Sequence, residues 1–455
     1  MQSSAIKSLV VCSIVITCAL AWAQGVQPYP NAITDRLVRP ETPMTVPPVN
    51  TAFRDPDFGS QLVRATDENT KWWQPGAFFQ TPGVGITNAW SITSDKFYVL
   101  GQGGVVLAFG FDPSTMAISS LPGAPAGRGL RIPLRSSPTF SFIDPDLIYG
   151  TTKAAPLTIS GYRFSTQTTS TVIDTTTCGT QPALDPTNRA VTSNLDISGS
   201  SEDNRIAISA GGKSVSNHAF VIIYDKKLGC RWYNTQTGQI GGDWGATGYV
   251  SVADRYLIGH VHISGDGNYV KIRNAKKFYF WDVATLQVTS CPLHSDLHCS
   301  TYGTIGRSSM INGIGVDEMN IAKRPLSDLT QVMPLVVPLA TPHLFEQEQH
   351  FSWVNGYLDD NAPVCGSVYS YDGDTEILRA WDDEVVCLET DGLASTVWRF
   401  AHHRAYMQSG RFNTQPLGNV SADGRFFMFT STWNSQLGTE KNGNPRSDVF
   451  IVKLQ

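Results

Sequence analysis

The sequence predicts an all-β fold, a seven-bladed β-propeller closed by an N-terminal strand that pairs with the last blade. First, a unit of Ser-x-Asp-Gly turn, strand, loop and strand recurs about every 50 residues, most clearly from Ser264 and from Ser421. Second, the chain is rich in turn-forming residues, with 40 Gly, and only 16% of its residues are charged. Third, helix-period patterns are weak throughout.

The spacing of the unit gives approximate blade bounds. The predicted blades are 85–130, 135–175, 190–240, 255–290, 300–340, 350–390 and 415–455, and six or eight blades are the alternatives to this count of seven. Blade five, 300–340, is inferred from the spacing alone. Residues Gln61 to Thr66 alternate as a strand does, so we expect them to pair with the C-terminal sheet and complete the last blade. Such a strand removes the open edge between the first and last blades.

The Ser-x-Asp-Gly turns have a structural reason. A two-residue hairpin turn needs positive φ, which Gly adopts freely and Asp tolerates. The preceding Ser hydroxyl can bond nearby backbone. We therefore interpret Asp266 and Asp423 as turn-forming residues and not as chemical groups.

The N-terminus has the pattern of a secretory signal over residues 1–23. Lys7 precedes an apolar run, and Ala21-Trp-Ala23 has the small-x-small form of a cleavage site. The run is short for a membrane span, which needs about 20 residues, and an uncleaved anchor is the alternative. Residues 24–52 are Pro-rich and predict an extended arm before a single propeller domain, 53–455. We expect a periplasmic or secreted protein with no membrane span after signal removal.

Six cysteines remain once Cys12 and Cys18 leave with the signal. An even number in an exported chain indicates disulfides, although their connectivity does not follow from the sequence alone. Pairing between sequence neighbours gives Cys178–Cys230, Cys291–Cys299 and Cys365–Cys387. The alternative for part of this set is a zinc site built from Cys291, His294, His298 and Cys299.

Charge and motifs exclude several function classes. The net charge of −5 and the pI near 6.0 provide no basic surface for nucleic acid. The chain has no Gly-x-Ser-x-Gly elbow, which disfavours a serine hydrolase, and no Rossmann or phosphate-loop signature before a helix. The sequence indicates no oligomeric state.

Polar residues that bind metals or move protons collect just ahead of three units. In a propeller the loops that enter the innermost strands converge at one mouth of the central channel, although they lie about 50 residues apart in sequence. Six of the nine histidines lie in these segments. The candidates for a metal site are His260, His262, Gln347, His350 and His402. Imidazoles with a Gln oxygen suit Mn²⁺, Zn²⁺ or Ca²⁺, and the alternative is a metal-free site in which His and Arg move protons and neutralise charge.

The last unit resembles the last blade of TolB-like propellers. The resemblance is carried by Ser421-Ala-Asp-Gly-Arg-Phe-Phe-Met-Phe-Thr-Ser431, by Trp433 and by Asp448-Val-Phe-Ile-Val452, with His403-Arg404 and Gln415-Pro416 just before them. The arrangement is also similar to the oligogalacturonate lyase family, a seven-bladed propeller that binds a divalent metal through several His and one Gln. Gln347-Glu-Gln-His350-Phe-Ser352 matches the first Gln and first His of that family's Gln-x-x-His-x-His cluster, with Ser352 in place of the second His. His262 is similar to a His that opens another blade.

The resemblance implies cleavage of a uronide by β-elimination. A metal or an Arg neutralises the carboxylate next to C5, and a base removes the C5 proton. The residues implied are Arg404 or a metal for neutralisation, and His403, Tyr406 or Arg411 for the proton. Trp353, Tyr357 and Gln415 are the candidates for substrate contact, and Phe412 is a further aromatic residue nearby. Pairing of Arg404 and Arg411 with blade acids is the structural alternative for these two residues.

A non-catalytic propeller that binds a cell-envelope polymer or a protein partner is the alternative function. The long loops at 170–190 and 434–447 favour recognition by an extended surface. The expected partner is therefore a polysaccharide or another cell-envelope component.

Overall fold

The computed structural model shows an all-β architecture. It describes residues 28–82, 87–154, 158–178, 197–210, 218–250, 254–274, 277–291, 303–314, 320–336, 348–369, 379–391, 396–407 and 411–455. In these ranges there is no α-helix, and the strands form six antiparallel sheets, which is consistent with a propeller-like fold. Short 3-10 helices occur at Thr175–Thr177, Asn355–Tyr357 and Phe412–Thr414. No helix in the described ranges is long and apolar enough to cross a membrane, and the predicted signal, 1–23, lies outside them.

Sheet 1 joins the two ends of the described chain. Its strands, in spatial order, are Ala52–Arg54, Gln61–Arg64, Asp448–Lys453, Phe426–Ser431 and Gly418–Val420. Val63 lies opposite Ile451, so Gln61–Arg64 pairs antiparallel with the C-terminal strand. The predicted pairing of Gln61–Arg64 with the C-terminal sheet is therefore confirmed.

Sheet 2 contains the segments predicted as blades one and two. Its strands are Phe79–Gln80, Lys96–Gly101, Val105–Phe111, Ile118–Ser119, Leu130–Phe140, Leu147–Thr152, Thr158–Arg163 and Thr168–Asp174. The long strand Leu130–Phe140 pairs with Val105–Phe111 through its first half and with Leu147–Thr152 through its second half. The register of the second pairing shifts between Arg135 and Thr139. One continuous strand thus joins the two predicted units into one sheet.

The remaining four sheets follow in chain order. Sheet 3 contains Ile197–Gly199, Arg205–Ala210, Phe220–Asp225, Gly229–Asn234, Gln239–Gly242 and Gly248–Tyr249. Sheet 4 contains His260–Ile263, Tyr269–Arg273, Phe278–Asp282 and Val288–Ser290. Sheet 5 contains Thr304–Ile305, Ser309–Ile314, Asn320–Pro325 and Met333–Pro334, within the range that spacing alone predicted for blade five. Sheet 6 contains Glu348–Ser352, Val364–Tyr369, Glu384–Leu388 and Val397–His402.

The aspartates of the Ser-x-Asp-Gly units make turns, as predicted, but the turns are longer than two residues. Ser264 and Tyr269 are bonded through their backbones, so the loop between them has four residues, and among those only Gly267 has positive φ. The Ser264 hydroxyl donates to Asp266 (2.5 Å) and accepts from the Tyr269 amide (3.0 Å). The same bonds recur at Ser421, Asp423 and Phe426. A side-chain network therefore shapes the loop, and Asp266 does not need the strained φ that the shorter turn requires.

The N-terminal arm packs against sheets 1 and 6. Tyr29 is buried, its ring meets Trp398 and Phe400 edge-on, and its hydroxyl donates to Gly424 O (2.9 Å). Ile33 forms an isolated bridge with Arg399 of the outer strand of sheet 6. The part of the arm that the structure describes therefore lies on the propeller-like body and covers an outer edge of sheet 6.

Two of the three predicted disulfides are present in the described residues. Cys178 is bonded to Cys230, and Cys365 is bonded to Cys387, its direct cross-strand neighbour in sheet 6. Cys291 is also disulfide-bonded, which removes the thiolate that the alternative zinc site would need. Cys299, predicted as its partner, lies outside the described residues, as do His294 and His298.

The start of the first strand in each sheet defines what we call the upper face. The first strand is Gly418–Val420 in sheet 1 and Phe79–Gln80 in sheet 2. Because neighbouring strands are antiparallel, the second strand of each sheet ends on that face and the third begins there. First strands of successive sheets touch one another, as Ile197–Gly199 touches His260–Ile263 and as Glu348–Ser352 touches Gly418–Val420. Residues at the starts of touching first strands therefore lie near one another on this face.

Candidate functional site

One hairpin of sheet 4 carries four basic or imidazole side chains at the upper face. His260 lies opposite Arg273 and His262 lies opposite Lys271. Cross-strand neighbours on one face are about 5 Å apart at Cβ, so the hairpin register brings each His close to a cation.

His262 is buried, and neither of its ring nitrogens has a hydrogen-bond partner. Burial holds its pKa well below the ordinary value, and the charges of Lys271, His260 and Arg273, in that order, act in the same direction. The ring is therefore neutral at neutral pH, and its unshared nitrogen is available to bind a metal or accept a proton.

His350 lies on the first strand of sheet 6, buried and stacked on Tyr369 with ring centroids 5.7 Å apart. Burial lowers its pKa to about 3, and the charge of Arg273 contributes to the shift. The charge of Arg273 thus lowers the pKa of imidazoles from two different sheets, His262 of sheet 4 and His350 of sheet 6. We call His260, His262, Lys271, Arg273 and His350 the mouth cluster.

Lys271 is the most strongly perturbed cation of the mouth cluster. Its ammonium donates to Gly303 O at the start of sheet 5 and lies 4.3 Å from the centre of the Phe278 ring. Burial, followed by repulsion from Arg273, lowers its pKa to about 7. Lys271 therefore exchanges its proton near neutral pH, where an ordinary lysine stays charged.

His402 does not lie with the mouth cluster. It ends the fourth strand of sheet 6, whereas His350 lies on the first. Three strand spacings amount to about 14 Å, and zinc–imidazole bonds are about 2 Å long, so His350 and His402 cannot bind one ion together. His402 instead lies beside the N-terminal arm, with Nε2 3.7 Å from an Asp57 carboxylate oxygen and its ring against Phe58.

The hydrogen bonds of His403 occupy both of its ring nitrogens. Nε2 donates to Val368 O (3.0 Å) and Nδ1 accepts from the Ala405 amide (3.0 Å). Burial lowers its pKa to about 3. In this arrangement no lone pair of His403 remains for the proton transfer that the family resemblance implied.

Arg404 is paired with an acid, but the acid that it bonds is Glu41 of the N-terminal arm and not one of the blade acids that the alternative expected. Its Nη1 donates to a carboxylate oxygen of Glu41 (2.8 Å) and to Thr42 O (2.8 Å), and its guanidinium lies over the Trp433 ring. Its Nη2 lies 3.8 Å from an Asp55 carboxylate oxygen. Arg404 therefore fixes the N-terminal arm, and together they line a cleft of about 550 Å³ that also contains Tyr406.

Two further predicted residues lie partly exposed in the loop that enters sheet 1. Arg411 precedes the short 3-10 helix, and its charge lowers the pKa of Glu440, against a larger upward effect of burial. Gln415 follows that helix and stands just before the first strand, Gly418–Val420. Both are accessible on the upper face.

Trp353 and Tyr357 are core residues. Trp353 is completely buried, and its indole donates to Ala362 O (2.7 Å). Tyr357 is buried in a stack on Phe142, its hydroxyl lies 3.2 Å from the Ser198 hydroxyl, and burial raises its pKa to about 12. The predicted stacking of sugars on these two rings does not fit this burial, whereas Phe412 is exposed.

The described residues contain no group of three His, Cys, Asp or Glu side chains placed to hold a metal ion. Gln347, the remaining predicted ligand, lies outside them. The unpartnered nitrogens of His262 fit a metal, since a buried imidazole without a hydrogen bond gains most from ligation. The metal set thus remains a prediction centred on His262 and His350.

Lys271 and Arg273 were not predicted as site residues because they follow the turn of their hairpin, whereas the predicted residues precede a turn. The signal that could have found them is the hairpin register, which sets the strand after the turn opposite the strand before it.

Comparisons with known proteins support the architecture. No protein family model matches the chain, and no curated protein matches it. A solved structure of an oligogalacturonate lyase from Vibrio parahaemolyticus aligns with a TM-score of 0.51 and 12% sequence identity, over 89% of this chain and 96% of that chain. A structure of U3-55K aligns with a TM-score of 0.42 and 9% identity, over 83% of this chain and 98% of that chain. The chain therefore has a weak structural similarity to the lyase, which at this identity concerns the fold alone.

Proposed function

We propose that the protein is an exported seven-bladed β-propeller that cleaves a uronide polysaccharide by β-elimination at the mouth cluster. The observation that carries this proposal is the position of Arg273, which lies opposite His260 in the sheet 4 hairpin that also holds the buried His262. Its charge also reaches the buried His350 of sheet 6. In this proposal each half of the eight-stranded sheet 2 is one blade, and the other five sheets are the remaining five. The likeness of fold to an oligogalacturonate lyase and the two disulfides support the reaction class and the exported location.

The reaction needs a cation and a base at one sugar ring. The base takes the proton from C5, the bond between C4 and its glycosidic oxygen breaks, and a double bond forms between C4 and C5. The released oxygen takes up a proton and becomes the new chain end. The C5 proton is acidic enough only when the adjacent carboxylate is neutralised.

The mouth cluster offers a residue for each role. Arg273 neutralises the carboxylate, because a guanidinium presents two parallel donors to it. Lys271, with its pKa near 7, takes the C5 proton in its neutral form. Gln415 at the entrance to sheet 1 contacts the polymer.

A divalent metal would be held by His262 and His350, with Gln347 as the further ligand that the sequence predicts. When bound, such an ion supplies a Lewis acid that strengthens neutralisation of the carboxylate. Both imidazoles are neutral at neutral pH, which is the protonation state that a metal ligand needs.

The test is an assay of the purified chain on polygalacturonate, with ultraviolet absorbance of the unsaturated product as the readout. We expect Arg273→Gln to abolish product formation and Arg273→Lys to retain part of it, because Lys keeps the charge but not the paired donors. No product from the wild-type chain on any polyuronide, together with retained polymer binding, would favour the non-catalytic cell-envelope binder instead.

A further inference from the structure

Trp72 is exposed on the loop that enters the first strand of sheet 2. Its side chain is 55% exposed, whereas most Trp side chains in the described residues are buried. Its ring stands edge-on to Trp73, with centroids 5.5 Å apart. The loop leads into Phe79–Gln80, a first strand, so Trp72 lies on the upper face with the mouth cluster.

Two cations flank the second ring of this Trp pair. The Arg131 guanidinium lies 5.2 Å from the centre of the Trp73 ring, and the Lys71 ammonium lies 5.8 Å from it. Lys71 is buried and donates to Gln74 Oε1 and to Gln102 O, both neutral acceptors. Arg131 is exposed.

The two cations lack a counter-ion within the part of the chain that the structure describes. The nearby carboxylate of Asp67 faces Arg128, and neither Lys71 nor Arg131 forms an ion pair. Burial, and after it the charge of Arg131, lowers the pKa of Lys71. Two like charges held together without an acid favour an external anion at this place.

We propose that Trp72, Lys71 and Arg131 form a subsite for one uronate unit of an anionic polysaccharide, separate from the mouth cluster. The exposed indole offers a flat apolar surface for a sugar ring, and the cations offer charge for its carboxylate. The identity of the polymer rests on the proposed function, whereas binding at this subsite does not require elimination to occur. The subsite extends the contact of a long chain across the upper face.

The test measures binding of trigalacturonate and polygalacturonate by isothermal titration calorimetry to the full chain. Trp72→Ala and Arg131→Gln should each weaken polygalacturonate binding about tenfold. The matched controls are Tyr249→Ala, another exposed aromatic residue, and Arg54→Gln, an exposed arginine of sheet 1, and both should bind as the wild type does. Fully methyl-esterified polygalacturonate, which lacks the charge, should bind the wild type weakly.

Unchanged affinity in both Trp72→Ala and Arg131→Gln would overturn the subsite, and so would equal affinity for the methyl ester. The elimination assay separates this result from the proposed function. If Trp72→Ala loses binding and the wild type forms no product, the subsite is supported and the lyase function is contradicted. If the wild type forms product and Trp72→Ala binds the polymer as the wild type does, only the subsite is contradicted.

Discussion

Arg64 and Asp448 form a buried ion pair that ties the N-terminal strand of sheet 1 to its C-terminal strand. Arg64 donates from Nε (3.0 Å) and Nη2 (2.6 Å) to one carboxylate oxygen of Asp448. Arg446 donates to both oxygens of the same carboxylate. Asp448 is completely buried, so one carboxylate holds two guanidinium groups at the junction of the two chain ends.

Asp448→Asn should destabilise the fold strongly. The substitution leaves Arg64 and Arg446 buried without their shared carboxylate, and breaking a buried pair in this way costs about 3–5 kcal/mol. The measurement is the free energy of unfolding from urea titration. Arg163→Gln, which removes a half-exposed pair with Asp144, is the control and should change it by less than about 1 kcal/mol. Similar small losses in both variants would mean that this pair does not secure the junction.

The parts of the fold that the sequence predicted follow from local rules. The Ser421 unit and its copies mark turns because Ser, Asp and Gly satisfy the loop backbone by themselves. The pairing of Gln61–Arg64 with the C-terminal strand could be predicted because an alternating strand without a unit of its own needs a partner. The fusion of two units through Leu130–Phe140 could not, since it depends on a strand that continues across a tertiary boundary.

The candidate site could be predicted only where residues stand close to a turn. His260 and His262 precede Ser264 by a few residues and lie on a first strand. His402 and His403 precede Ser421 by a whole loop, so they still belong to the outer edge of sheet 6. The burial of Trp353 is decided by packing in three dimensions, with Gly306 and Gly356 against its ring, and no local pattern reveals it.

Lys271 should make stability depend on pH above neutrality. Its pKa is about 7 in the folded chain and 10.5 ordinarily, so between these values the unfolded chain binds more protons. The free energy of unfolding therefore rises with pH in that window, by up to about 1.4 kcal/mol per pH unit from this group. Urea titrations from pH 7 to 9 should show this rise in the wild type and a smaller one in Lys271→Met.

Lys277→Met is the control for that series. Lys277 is partly exposed and pairs with Asp254, so its removal should leave the slope of the wild type in place. A slope in Lys271→Met that equals the wild-type slope would mean that Lys271 does not titrate in this window.

His403→Ala should reduce stability and leave elimination intact. The substitution removes the partner of Val368 O and of the Ala405 amide, at a cost of about 1–3 kcal/mol for each buried group left unpaired. The measurements are urea unfolding and the rate of product formation per folded molecule. A variant that keeps its stability but loses its rate would restore the catalytic role that the sequence suggested.

His262→Ala should lose a bound metal ion that His402→Ala retains, although both residues belong to the predicted set of metal ligands. Both histidines have two unpartnered ring nitrogens, but His262 lies in the mouth cluster. His402 lies beside Asp57, three strands and therefore about 14 Å away from His350. After equilibration with Mn²⁺, Ca²⁺ or Zn²⁺ and desalting, elemental analysis should find the bound ion in the wild type and in His402→Ala, and not in His262→Ala. If His262→Ala retains the ion and His402→Ala loses it, the metal site lies beside the N-terminal arm and not in the mouth cluster. If the wild type binds no ion, Arg273 is the group that neutralises the carboxylate in the proposed reaction. Its charge lowers the pKa of both His262 and His350, so it acts at the same place as the predicted metal.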